Sequence, residues 1–128
     1  MDRAVLVDDL RKLYKALDQK FGPVGLAMLL FPDPGLEDLW NLIVSAESLD
    51  ALGRAEAIGA VVELMSRNLT EETRQRIIRV TVLKRDDPFV RDMNSSYQAE
   101  DSILNVNAAF VSGIEIPQAI VMQSKAAA

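Results

Sequence analysis

The segment from Ile77 to Pro88 constrains the fold of this chain more than any other stretch of its sequence. Ile77–Val82 is almost entirely β-branched, a composition that favours a strand. Asp87 followed by Pro88 predicts a helix start, because aspartate caps the first turn and proline at the first helical position loses no hydrogen bond. Many α/β proteins place their sites at strand ends of this kind. We expect this strand to be the central strand of a sheet.

Periodic patterns on either side of this segment predict the other elements. Leu6, Leu10, Leu13 and Leu17 form one apolar stripe, which indicates an amphipathic helix packed on the domain's own sheet. We predict helices over 2–20, from Ser48 or Asp50 to about Asn68, over 71–76 and from Pro88, with strands over 24–31, 39–46, 77–83, 102–111 and 114–123. The first two strands form an antiparallel hairpin, and a helical crossover makes the second and third strands parallel.

These elements predict the fold class α+β (mixed α/β): a single sheet of four to five strands, with parallel and antiparallel pairs and helices mainly on one face. Residues 1–125 are expected to form a single compact domain, and residues 126–128 a tail or cloning remnant. Pro117 predicts that the last strand is an edge strand or begins only after it, because proline has no N–H for a neighbour. Gly53 and Gly59 in the long helix are interpreted as points of close packing on the sheet or on a second subunit.

The composition excludes several kinds of chemistry. The chain has no cysteine and no histidine, so it cannot by itself build a disulfide, a thiol nucleophile or a serine–histidine–aspartate site. Carboxylate, lysine, tyrosine or hydroxyl chemistry remains, as does a carboxylate-held Mg²⁺ or Ca²⁺. The acidic turn with Asp33, Glu37 and Asp38 is interpreted as a solvated loop rather than a cation site. We expect no cofactor and no bound metal.

Charge and hydropathy bear on the location of the protein. The net charge of −5 argues against a general attraction to nucleic acid or anionic lipid. Residues 1–15 lack the apolar core of a signal peptide, and the apolar run over 24–31 is too short to cross a bilayer. The sequence therefore predicts a cytoplasmic protein that makes no membrane contact.

The strongest candidate site is a cluster at the strand ends. If the second and third strands are parallel, their carboxyl ends bring together Glu47, Lys84, Arg85, Asp86 and Asp87. This cluster has the charges to bind a phosphorylated ligand or to hold Mg²⁺ for an enzyme. The alternative is structural: Asp87 caps the next helix, Glu47 pairs with Lys84 or Arg85, and the rest is solvated.

A second candidate surface is a basic patch between Arg67 and Arg91, which is able to contact nucleic-acid phosphates. Aromatic residues make up only 5 % of the chain, so stacking platforms for single strands are scarce. No glycine-rich phosphate loop is present. Nucleic acid is therefore the least favoured of the partners considered.

A third candidate is an interface formed by Trp40, Ile120 and Met122. Trp40, the sole tryptophan, is interpreted either as a core anchor or as an interface hot spot. Ile120 and Met122 lie on the last strand, where a free edge is able to pair with a partner strand.

Two stretches, residues 39–50 and 76–90, are similar to a family of small, functionally uncharacterised bacterial proteins. The shared features are the strand Trp-Asn-Leu-Ile-Val-Ser-Ala at 40–46 and the later Asp-Pro-Phe-Val at 87–90. The resemblance implies a bacterial origin but carries no activity, substrate or catalytic residue to this chain.

The sequence predicts a non-catalytic protein-interaction module, an accessory or regulatory subunit that binds a protein partner or self-associates as a homodimer. The missing histidine and cysteine, the absent catalytic motifs and the expected free strand edge support this hypothesis. The first alternative is a ligand-binding domain or a Mg²⁺-dependent enzyme that uses the strand-end cluster. The second alternative is nucleic-acid binding through the basic patch.

Overall fold

One five-stranded sheet organises the protein. The structure, a computed structural model, describes residues 3–31 and 39–126. The elements are α1 (Arg3–Phe21), β1 (Val24–Phe31), β2 (Trp40–Ala46), a 3₁₀ turn (Glu47–Leu49), α2 (Arg54–Asn68), α3 (Glu71–Arg76), β3 (Ile77–Val82), α4 (Pro88–Ser96), β4 (Leu104–Val111) and β5 (Ile114–Ser124). The strand order is β3-β2-β1-β5-β4. Among the described residues, no helix is long and apolar enough to span a membrane.

The strand pairing confirms the predicted mixed sheet. β2 and β3 are parallel, as expected for strands joined by the helical crossover through α2. β1 pairs antiparallel with β2 on one side and with β5 on the other, and β4 pairs antiparallel with β5. The predicted acidic turn at 33–38 lies outside the described residues. The fold class is α+β.

Both faces of the sheet are covered, and the two long helices share one of them. Alternation along β1 sends Ala27 and Leu29 toward α1 and α2, and Leu26 and Met28 toward the opposite face. The leucine stripe of α1 is buried in the first core, as its helical spacing predicts. The second core is closed by three residues of α4, namely Phe89, Val90 and Met93.

The position of β5 corrects the expectation drawn from Pro117. β5 runs without a break from Ile114 to Ser124 and lies between β1 and β4, so it is not an edge strand. Its pairing with β1 reaches only as far as Phe31 opposite Gln118. Position 117 therefore faces no β1 residue, and the missing N–H of proline removes no hydrogen bond to β1.

Gly53 and Gly59 do not mark close packing on the sheet, which corrects that part of the interpretation, whereas packing on a second subunit stays a prediction. Gly53 is the N-cap residue of α2 rather than part of its interior. A methyl group added at either position would meet no atom within 4 Å. Gly59 lies on the exposed side of α2, where it contributes only the flexibility of a glycine.

Gly59→Ala is therefore expected to stabilise the protein by about 0.5–1 kcal/mol, because alanine restricts the unfolded chain and favours the helix. Urea unfolding followed by circular dichroism measures this change. Gly113→Ala is the control, since Gly113 has φ of +77°, a conformation that strains alanine, and it should destabilise the protein. A Gly59→Ala variant less stable than the wild type would contradict this account of α2.

Candidate interaction site

The structure brings the ends of β2 and β3 together at one edge of the sheet. The N–H of Leu83 donates to the carbonyl oxygen of Val44 at 3.0 Å, which extends the parallel pairing one residue beyond β3. Both strands therefore end beside each other, and the loop 83–87 lies next to the 3₁₀ turn that follows β2. This is the arrangement on which the predicted strand-end cluster depends.

Two of the five cluster residues are held by structural contacts. Arg85 Nε donates to Asp50 Oδ2 at 2.8 Å, and the backbone N–H of Arg85 donates to Asp50 Oδ1 at 3.2 Å. The hydrogen bond with Asp50 is the main cause of a raised pKa at Arg85. Asp87 Oδ1 accepts from the N–H of Phe89 at 2.9 Å, which confirms the predicted helix cap.

The acidic partner of Arg85 differs from the one expected. Asp50, one turn beyond Glu47, forms the ion pair at 2.8 Å. Glu47 and Asp86 act on Arg85 only through their charges, which also raise its pKa. Asp50, one of the two residues at which the sequence predicted the long helix to begin, thus anchors the loop after β3, and α2 begins at Arg54.

A wide groove of about 1140 Å³ opens at this edge, and we call it the strand-end groove. Its lining includes the following charged residues: Asp18, Asp50, Lys84, Arg85, Asp86, Arg91, Glu100 and Lys125. Acidic and basic groups are evenly mixed, and Arg85 and Lys125 are already paired with Asp50 and Glu100. Burial, followed by the charges of nearby carboxylates, raises the pKa of Tyr14 in the same groove. No group of three or more metal-ligating residues occurs in the described part of the chain.

A second groove, of about 700 Å³, follows the outer side of β3, and we call it the β3 groove. Five consecutive residues, 79–83, form its floor. Arg54 and Ile58 of α2 line it, together with Lys84, Asp86, Asp87 and Pro88 from the loop that leads into α4. Of the strand-end cluster, Lys84, Asp86 and Asp87 line this groove, whereas Arg85 lines only the strand-end groove and Glu47 lines neither.

β3 is an edge strand, which corrects the expectation that it is central. Since the N–H of Leu83 points toward β2, alternation turns the N–H and C=O groups of Val80 and Val82 away from the sheet. Ile78 beside them is 59 % exposed. Arg79 in the middle of the β-branched run was the sequence signal for an edge, because a strand buried on both sides rarely carries an unpaired arginine.

The three predicted interface residues belong to the core of the chain. Trp40 is 3 % exposed and packs on Phe31 with ring centroids 5.6 Å apart. Ile120 and Met122 are buried in the same core, on the interior strand β5. This placement corrects the interface interpretation, because none of the three side chains offers surface to a partner.

The other edge of the sheet, β4, has an irregular backbone. Ala108 has φ of +52°, in the left-handed region that alanine rarely adopts. Arg3 of α1 donates to the side-chain oxygen of Asn105 on this strand. A kinked edge of this kind is a common protection against pairing with another chain.

Comparisons with protein-family models, with curated proteins and with solved structures find no match for this chain. The resemblance to small bacterial proteins stays a prediction.

Proposed function

We propose that the protein is a cytoplasmic protein-interaction module, an accessory or regulatory subunit that accepts an extended segment of a partner beside β3. The partner segment adds a sixth strand to the sheet by hydrogen-bonding to the open edge. The single observation that supports this proposal most is the outward direction of the backbone groups of Val80 and Val82 on an edge strand.

The β3 edge suits strand addition better than the β4 edge. β3 is regular from Arg79 to Val82, where consecutive residues pair with consecutive residues of β2. The exposed apolar side chains of Ile78 on β3 and Val62 on α2, 59 % and 45 % exposed, are candidates for burial under a partner. β4 carries the kink at Ala108, which disturbs the ladder that a partner needs.

The alternative of a ligand-binding domain or Mg²⁺-dependent enzyme finds less support. Arg85 is held by Asp50 and Asp87 caps α4, so two of the five proposed ligand-binding groups have structural partners. Glu47 lines neither groove, so it does not share a groove lining with Lys84 and Asp86. No observation on the described residues favours this alternative over strand addition.

Val80→Pro tests the proposal directly. Proline removes the outward N–H of residue 80 and keeps the bonds that neighbouring residues make to β2, so the fold should survive while strand addition fails. Val80→Thr is the matched control, because it keeps both the N–H and the β-branched shape. In pull-downs from a bacterial lysate, wild type and Val80→Thr are expected to recover the same partner. Val80→Pro is expected to recover about tenfold less of it.

Hydrogen exchange gives a second measurement of the same edge. The amides of Val80 and Val82 should exchange rapidly in the free chain and become protected in the complex. Equal capture by Val80→Pro and wild type, or a complex in which both amides stay unprotected, would count against the proposal. The sequence also predicts self-association. Analytical ultracentrifugation of wild type over a range of concentrations tests this prediction.

A further inference from the structure

We propose that the β3 groove binds an extended acidic segment of a partner protein, in which apolar and acidic residues alternate. This inference rests on the proposed function, since it specifies the chemistry of the strand that β3 accepts. The observations that support it are the charges of the groove and the different polarity of the two faces of β3. These observations are separate from the outward direction of the backbone groups, which supports the proposed function.

The described lining of the β3 groove has three basic and two acidic side chains, a net positive charge, although the chain as a whole is acidic. Three cations, Arg54, Arg79 and Lys84, line the groove, and none of them takes part in an ion pair between described residues. Of the two carboxylates that line it, Asp87 is engaged as the cap of α4. The two carboxylates, Asp86 and Asp87, offset two of the three positive charges, so the lining keeps an excess of one positive charge.

The two faces of β3 differ in polarity, and this difference specifies the pattern of the partner strand. Val80 and Val82 pack toward the core beneath α1 and α2, on the same side as Ile58 of α2. Arg79 and Thr81 lie on the other face, where Thr81 Oγ1 donates to Asn41 Oδ1 at 3.1 Å. An added strand alternates between these faces, so its apolar residues meet the valines and its acidic residues meet Arg79.

A second copy of the chain fits the groove less well than an acidic segment. Two β3 strands paired antiparallel around Val80 would place each Arg79 opposite Thr81 and diagonal to the other Arg79. The same pairing brings two linings of net positive charge into one interface, where they repel each other. Single-stranded nucleic acid also fits less well, because the groove is lined by no aromatic residue on which bases could stack.

The test uses three fluorescent peptides of alternating sequence and measures their binding to the full chain by anisotropy. The first alternates valine with glutamate, the second valine with serine, and the third valine with lysine. The glutamate peptide is expected to bind about tenfold more tightly than the lysine peptide at low ionic strength, with the serine peptide between them. The preference should shrink at roughly 0.5 M salt, because exposed charges are screened.

Two charge-reversal variants locate the preference. Arg79→Glu should weaken binding of the glutamate peptide roughly fivefold and strengthen binding of the lysine peptide. Arg67→Glu is the matched control: Arg67 lies on α2 outside the groove, paired with Glu63, and its reversal changes the net charge by the same amount. It should leave the preference unchanged. Val80→Pro should abolish binding of all three peptides.

Each alternative result overturns a distinct part of the inference. Equal binding of the glutamate and serine peptides, lost in Val80→Pro, would refute the charge preference and leave strand addition standing. No binding of any peptide at millimolar concentration would overturn the inference. The proposed function would still be tested separately by the pull-down with Val80→Pro. If the wild type forms a dimer and Val80→Pro is a monomer, the occupant of the β3 groove is a second copy of the chain. Tighter binding of an oligothymidine, weakened by Arg79→Glu, would make nucleic acid the ligand.

Discussion

Replacement of Asp9 by alanine is expected to lower the free energy of unfolding by about 3 kcal/mol. Asp9 lies on α1 and is 2 % exposed. Its Oδ2 accepts from Thr73 Oγ1 at 2.5 Å, from Thr70 Oγ1 at 2.7 Å and from the N–H of Thr70 at 3.3 Å. Alanine would leave these donors without their acceptor, and the carboxylate would no longer stabilise the N-terminus of α3.

Urea unfolding measures this effect, and Asp8→Ala is the control. Asp8 is exposed and pairs with the exposed Lys12 one turn along α1, at 3.0 Å, so its loss should change stability by less than about 0.5 kcal/mol. In a double-mutant cycle, Asp9→Ala and Thr73→Val should be less destabilising together than the sum of the two. An Asp9→Ala variant as stable as Asp8→Ala would show that the buried carboxylate contributes nothing to the fold.

Replacement of Trp40 by alanine is expected to destabilise the protein by about 3–5 kcal/mol, because it opens a cavity in the larger core. Trp40 lies at the start of β2 and packs on Phe31 of β1, so the cavity would loosen the hairpin that precedes the crossover. Circular dichroism must be used to follow unfolding, since this variant has no tryptophan left to fluoresce.

Phe110→Ala is the matched control for Trp40→Ala. Phe110 is also an aromatic residue on a strand, but it is 74 % exposed, so its truncation should change stability by less than about 0.5 kcal/mol. If Trp40 acted at an interface instead, Trp40→Ala would keep the stability of the isolated chain and weaken partner binding. That result would reverse the assignment of Trp40 to the core.

Much of the local structure was predictable because its signals lie within a few residues. The leucine stripe of α1 has helical spacing, and the cap of α4 links Asp87 to Phe89, two residues away. Ser112 and Gly113 both have positive φ, which matches their predicted position in the turn between β4 and β5. The parallel pairing of β2 and β3 followed from the helix between them.

The errors concern contacts between residues far apart in the chain. The sequence predicted that β3 is central and that the last strand lies at an edge or begins only after Pro117, whereas β3 lies at the border and β5 lies inside the sheet and begins at Ile114. Strand order depends on which pairings bury the most apolar surface, and the composition of one strand does not specify its neighbours. Asp50 likewise pairs with Arg85, 35 residues away, rather than starting the adjacent helix.

The sequence by itself determined the type and approximate position of each helix and strand in this protein, and it excluded histidine and cysteine chemistry. These properties depend on residue types and short spacings. Only the tertiary structure decided that β3 lies at an edge of the sheet and that Asp9 supports α3 from 61 residues away. It also decided that the groove beside β3 is lined by three cations that form no ion pair with another described residue. Exposure and charge pairing arise when distant segments pack together, so they follow from the whole fold rather than from any one stretch of the chain.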